Sequence, residues 1–149
     1  MQKILNKRHE DKNPPAHVSS RYQGFQKYRR LIVWNKSMDF IGLIYKLTSQ
    51  FPNNELYGLT SQLRRASVSI SLNIVEGSGA GSDMEYKRFL NIARRSAYEV
   101  LCGLEIAQKL NFCTIEETDQ LSDKCDQISA MITGLSKKIG SKLQLKTES

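Results

Sequence analysis

The sequence predicts an all-α fold, an antiparallel up-down-up-down four-helix bundle formed by a single domain. Three observations lead there. Apolar residues recur at alternating steps of three and four from about residue 28 to residue 140. No segment shows the period-two alternation of a half-buried strand. Boundary signals at Phe51-Pro52-Asn53-Asn54, Gly77–Gly81 and Thr114-x-x-Glu117 cut the periodic region into four. A chain of 149 residues is long enough for one domain to bury about 70% of its unfolded surface without a disulfide or metal staple.

Each element follows from its residues. Residues 1–20 are polar, contain Asn13-Pro14-Pro15 and lack periodicity, so 1–27 reads as a basic, disordered arm ahead of a bundle over 28–140 and a tail over 141–149. In the first helix, about 28–50, the stripe Leu31, Trp34, Met38, Ile41, Tyr45 and Thr48 is expected to face the core. Pro52 stops it, because proline cannot continue a helix and biases its predecessor away from helical angles. The second helix, about 55–76, carries Leu59, Leu63, Ala66, Ile70 and Asn73 on one stripe, the amide at Asn73 serving to fix register. Ser82-x-x-Glu85 is a capping box opening a third helix to about 110, with Phe89, Ala93, Ala97, Val100 and Leu104 as its core face. Thr114-x-x-Glu117 opens a fourth to about 140, where Ile115, Thr118, Leu121, Cys125, Ile128, Ile132, Leu135 and Ile139 keep a seven-residue repeat. Glu116, Glu117 and Asp119 sit in its first turns and Lys137 and Lys138 are expected in its last, as the helix dipole favours.

The first two helices are apolar on a second side as well. Opposite the expected core stripes lie Val33, Phe40, Leu43, Ile44 and Leu47 on the first, and Val68, Leu72 and Val75 on the second. A helix apolar on two faces must bury both, so these residues are expected to form a homo-oligomer interface.

Charge points to the partner. The net charge is +7, and residues 1–30 hold eight Lys/Arg against Glu10 and Asp11, so most of the excess lies in the leader. A basic arm suits either a polyanion or solubility. On the third helix Lys87, Arg88, Arg94 and Arg95 project from one side around Asn91, with no acid until Glu99. Arg64 and Arg65 add two guanidiniums on the second helix, and Arg29 and Arg30 lie in a segment that interleaves cations with Tyr22, Phe25 and Tyr28. Arginine forks bind phosphate bidentately, which suits an RNA or DNA backbone; the alternative role is pairing with Glu76, Glu85 and Glu99.

The residues argue against catalysis. His9 and His17 both fall in the arm, leaving the expected bundle without an imidazole for a metal centre or a Ser-His or Cys-His pair. Gly77–Gly81 lacks the Gly-Lys-Ser/Thr of a phosphate loop and follows a helix, not a strand. Cys102, Cys113 and Cys125 are too widely spaced for a disulfide framework and are expected as buried thiols. The expectation is therefore a protein that is no enzyme and carries no cofactor, no metal and no catalytic residue. No apolar run approaches the roughly 20 residues of a membrane span, and the N-terminus lacks a signal-peptide core, which predicts a cytoplasmic protein without membrane contact.

Several motifs carry a resemblance: Leu31-x-Val33-Trp34-x-x-Ser37, Phe51-Pro52-x-x-Glu55-x-Tyr57-Gly58-Leu59-Thr60-Ser61-Gln62-x-Arg64-Arg65-Ala66, Ser69-Ile70-x-x-Asn73-Ile74-x-Glu76-Gly77, and Phe89-Leu90-x-Ile92-Ala93 followed by Ser96-x-x-Glu99. Over about residues 28–112 the chain resembles the bacterial four helix bundle protein family, also called 23S rRNA-intervening sequence proteins. The resemblance implies an up-down bundle assembled as a ring-shaped homopentamer. Members are encoded inside intervening sequences of 23S rRNA genes, and related basic pentamers are accessory factors of diversity-generating retroelements that bind nucleic acid and a reverse transcriptase. This chain departs from the pattern at Ser71, where proline is usual, at Arg95 for glycine, at Tyr28 for phenylalanine and at Arg30 for aspartate. The two added arginines strengthen the expectation of a non-enzymatic, oligomeric nucleic-acid-binding protein. A scaffold that docks a partner such as a reverse transcriptase is the alternative.

Overall fold

The structure, a computed structural model, describes residues 24–147. The arm expected over the first residues lies almost wholly outside them. A 3-10 turn, Gly24–Arg30, leads into α1 (Ile32–Thr48), followed by α2 (Leu59–Ser78), α3 (Asp83–Lys109) and α4 (Ile115–Thr147). There is no strand among the described residues. Sequential helices pack antiparallel, and α4 closes the bundle against α1.

Local chemistry sets the ends. Glu55 reaches forward so that its Oε2 accepts from the Leu59 N–H at 3.0 Å, capping α2 from a short 3-10 turn. The Ser82 hydroxyl accepts from the Glu85 N–H at 3.1 Å. At Thr114 the box closes in both directions, the Thr114 N–H donating to Glu117 Oε2 at 2.9 Å and the Glu117 N–H to Thr114 Oγ1 at 3.1 Å. The Thr114 N–H, with the Gln50 amide, lowers the Glu117 pKa, because both donate to its charged carboxylate. α3 stops where Asn111 takes a left-handed φ of 59°. Its N–H donates to Gln108 O and that of Phe112 to Ala107 O, the paired bonds of a Schellman end. Phe112 then packs on Phe51 with ring centroids 5.6 Å apart, tying the α3–α4 corner to the end of α1.

The core runs the length of the bundle, with Phe40, Ile44, Leu63, Ile70, Leu104 and Ile132 almost wholly enclosed. α2 and α3 meet most closely. Ser69 Oγ and Ser96 Oγ share a 2.9 Å hydrogen bond, and Gly103 leaves room for Leu63 of α2 at this seam. Asn73 is half-buried, and its amide donates to Ser69 O and Oγ, so it is satisfied within its own helix.

Two expectations are corrected. The first concerns α1, whose core face lies to one side of the expected stripe: Thr48 of that stripe is buried, and Leu31 and Trp34 pack partly buried against the core. Val33, Phe40, Ile44 and Leu47, expected at an oligomer interface, are core residues with 5% exposure or less, whereas Met38 and Tyr45 of the expected core stripe stand 46% and 44% exposed. Both sets form heptads, and Ser37 disguised the buried one. Its hydroxyl donates to Trp34 O at 2.7 Å, which lets a polar residue sit at a core position at little cost. Of the expected interface residues, Leu43 packs partly buried against the core, Val68 and Val75 are half-buried, and Leu72 is exposed. The second correction is that α4 runs on through the expected tail to Thr147, passing Gly140 without breaking.

Candidate nucleic-acid interface

α3 presents two unlike faces because its sequence does. Leu90, Ala93, Ala97, Val100 and Leu104 are buried, with Phe89 only half-buried at the boundary. Roughly 180° around the helix stand Arg88, Asn91 and Arg95, all exposed, with Lys87 and Arg94 half-buried on the same outward arc. Arg94 is held by one bond, its Nη2 donating to Asn91 Oδ1 at 3.1 Å. A guanidinium has five N–H groups, so most of the fork stays available. The Arg88 guanidinium lies 5.5 Å from the centroid of the Phe89 ring, which steers it along the surface. Met84, Tyr98 and Cys102 share this outer face, and the exposure of Cys102 corrects the expectation of three buried thiols. Cys125, by contrast, is wholly enclosed; burial, aided by the Asp126 charge, pushes its thiol up to about 12.

The two arginines of α2 part company. Arg64 is half-buried: its Nε donates to Thr48 Oγ1 at 2.8 Å and its guanidinium sits 4.6 Å over the Tyr45 ring. That bonding spends it on holding α1 to α2. Arg65 is exposed. Both border an open groove of about 600 Å³ whose walls include Tyr45, Leu56, Tyr57 and Leu72. Tyr57, 94% exposed, stands at its rim. Sequence reasoning assigned no role to Leu56 or Tyr57; an aromatic before a glycine between two helices was the available signal. Arg29 and Arg30 are exposed on the 3-10 turn, at the end of the bundle where α3 begins.

Among the described residues no group of three or more His, Cys, Asp or Glu could hold a metal ion. No described helix is long and apolar enough to cross a membrane.

A sequence profile of the 23S rRNA-intervening sequence proteins matches residues 29–134. The chain belongs to that family. A solved structure from Bacteroides thetaiotaomicron, a protein of unknown function from the S23 ribosomal protein family, is 26% identical to this 23S rRNA-intervening sequence protein. It superposes with a TM-score of 0.67, covering 71% of this chain and 99% of its own. No curated protein matches the chain significantly. The family match in this 23S rRNA-intervening sequence protein takes in the α3 cations and stops short of the last turns of α4.

Proposed function

We propose that this 23S rRNA-intervening sequence protein is a non-enzymatic, oligomeric protein that binds RNA or DNA through the phosphate backbone. The observation that carries the reading is the outer face of α3, where Arg88 and Arg95 stand exposed opposite the buried face and half-buried Lys87 and Arg94 flank them. Cations on a rigid helix position a nucleic acid without reading its bases. The oligomer rests on the apolar surface of α1 and α2, now composed of Met38 and Tyr45 beside Val68 and Leu72. A ring, as the family resemblance implies, would repeat the α3 stripe around its circumference. Docking of a partner protein such as a reverse transcriptase is the second reading, favoured by the aromatic rim at Tyr57.

Binding of labelled structured RNA at several salt concentrations tests the first reading. Changing Lys87, Arg88, Arg94 and Arg95 together to glutamine should weaken all sequences alike. On duplex DNA the log-log salt slope should flatten by up to about 3.6, near 0.9 per lost contact. Light scattering should give a mass several times 17.0 kDa. A wild-type monomer refutes the oligomer, and an unchanged slope refutes the α3 site.

A further inference from the structure

The last turns of α4 hold cations that the helix dipole does not explain. Lys137 and Lys138 lie about ten residues before the helix ends at Thr147, and the dipole acts only within the final turn. Nor do they have helical partners. Between Gln127 and Lys142 α4 carries three lysines and no acid, whereas Ile115–Asp126 carries five acids and one lysine. The helix is thus split by sign along its length.

The antiparallel packing brings three such cationic segments to one end of the bundle. Lys87 reaches across from α3, its Nζ 3.1 Å from where a Cβ on Gly140 would stand. The missing side chain lets this ammonium lie against α4, one turn from Lys137. Arg88 is exposed beside it, and Lys137, Lys138 and Lys142 are all exposed. The 3-10 turn that precedes α1 places Lys27, Arg29 and Arg30 at the same end. Among the described residues the carboxylates there, Glu76, Asp83 and Glu85, are fewer than the cations they face. Like charges gathered in excess of their counter-charges repel one another, and a polyanion relieves that repulsion.

We infer that this basic pole, built from the start of α3, the last turns of α4 and the 3-10 turn, is a phosphodiester-binding surface continuous with the α3 stripe. The inference rests on the nucleic-acid reading and extends it to residues beyond the family match. A duplex is the ligand it fits. Its phosphates carry one negative charge per about 1.7 Å of axis, a density that meets cations spread over three elements at one end of the bundle. Phosphate contact needs no base recognition, so RNA and DNA duplexes of one sequence share the chemistry and serve as separate arms.

Two triple variants of the full chain test it. Lys137→Gln, Lys138→Gln and Lys142→Gln remove charge at the pole; Lys46→Gln, Lys109→Gln and Lys124→Gln remove the same charge at the opposite end, also from exposed positions. Circular dichroism checks that both fold. The pole variant should flatten the salt slope on duplex DNA by up to about 2.7, which near 0.15 M salt is about 100-fold in affinity. The control should keep the wild-type slope on both duplexes. Equal losses in the two variants would show an effect of net charge and overturn the pole. So would an unchanged pole variant alongside a flattened α3 quadruple variant, while leaving the nucleic-acid reading intact. If the wild type binds neither duplex, the nucleic-acid reading itself fails. Pelleting with phosphatidylserine vesicles under those conditions would reassign the surface to a membrane.

Discussion

The close seam between α2 and α3 makes Gly103→Ala an informative substitution. A Cβ at position 103 would stand 2.6 Å from Leu63 Cδ2 and 3.0 Å from its Cγ. Leu63 is wholly enclosed, so its branch carbon as well as a methyl must move within a packed interior. Overpacking of this kind costs about 1–3 kcal/mol. Against it stands the gain of replacing glycine by alanine inside a helix, about 0.5–1 kcal/mol. The net expectation is a loss of about 1 kcal/mol, or about 2–4 °C in Tm for a chain of this length. Gly134→Ala is the internal reference: position 134 is exposed in α4 and a Cβ there meets nothing within 4 Å. It should gain about 0.5–1 kcal/mol from helix propensity alone. Both variants and the wild type would be unfolded thermally at one protein concentration, since an oligomer's midpoint shifts with concentration. Adding Leu63→Ala should remove most of the penalty at 103, giving a coupling of about 1 kcal/mol in a double-mutant cycle. Stabilisation by Gly103→Ala equal to that by Gly134→Ala would refute the close approach.

Two more outcomes follow from the burial pattern. Phe40→Ala should cost about 3–5 kcal/mol in urea unfolding, while Met38→Glu with Leu72→Glu should leave helical circular dichroism largely intact and reduce the mass seen by light scattering; equal destabilisation by both would refute the assignment of the α1 faces. Cys125 gives a pH dependence: its pKa is raised from 9.0 to about 12 in the folded chain, so the unfolded chain loses its proton first. Its contribution to stability is therefore present below pH 9 and lost as the pH rises towards 12, a decline that Cys125→Ala should reduce. At pH 8 a thiol alkylating reagent should mark exposed Cys102 and spare Cys125, as read by peptide mass spectrometry.

α3 and α4 were legible because each opens on a capping box ahead of one apolar stripe, and α2, although apolar on two sides, because the expected stripe of Leu63, Ala66 and Ile70 is the buried one. α1 was legible as a helix and illegible in orientation. Its two heptads compete, and a stripe containing Ser37 scores below one containing Trp34 and Met38, although the serine's own hydrogen bond removes the cost of burying it. The end of α4 was misplaced because its seven-residue repeat stops at Ile139, whereas the helix runs on past Gly140, against which the Lys87 side chain lies. The α3 stripe was legible from charge spacing alone. The engagement of Arg64 was not, since Tyr45 and Thr48 lie sixteen or more residues away and meet it only when α1 and α2 pack.

The α2–α3 seam has a further consequence, for the chain entropy lost on folding. These helices are neighbours in sequence, joined by only Gly79–Ser82, so closing them loses little chain entropy. Small side chains at the seam need little rearrangement before backbone meets backbone, and the Ser69–Ser96 bond fixes one register. The pairing of α1 with α4 joins partners separated by most of the bundle's sequence, so it closes the costliest loop. The hairpin of α2 and α3 is therefore among the pairings that lose least chain entropy on closing, and the outer two helices flank it on either side.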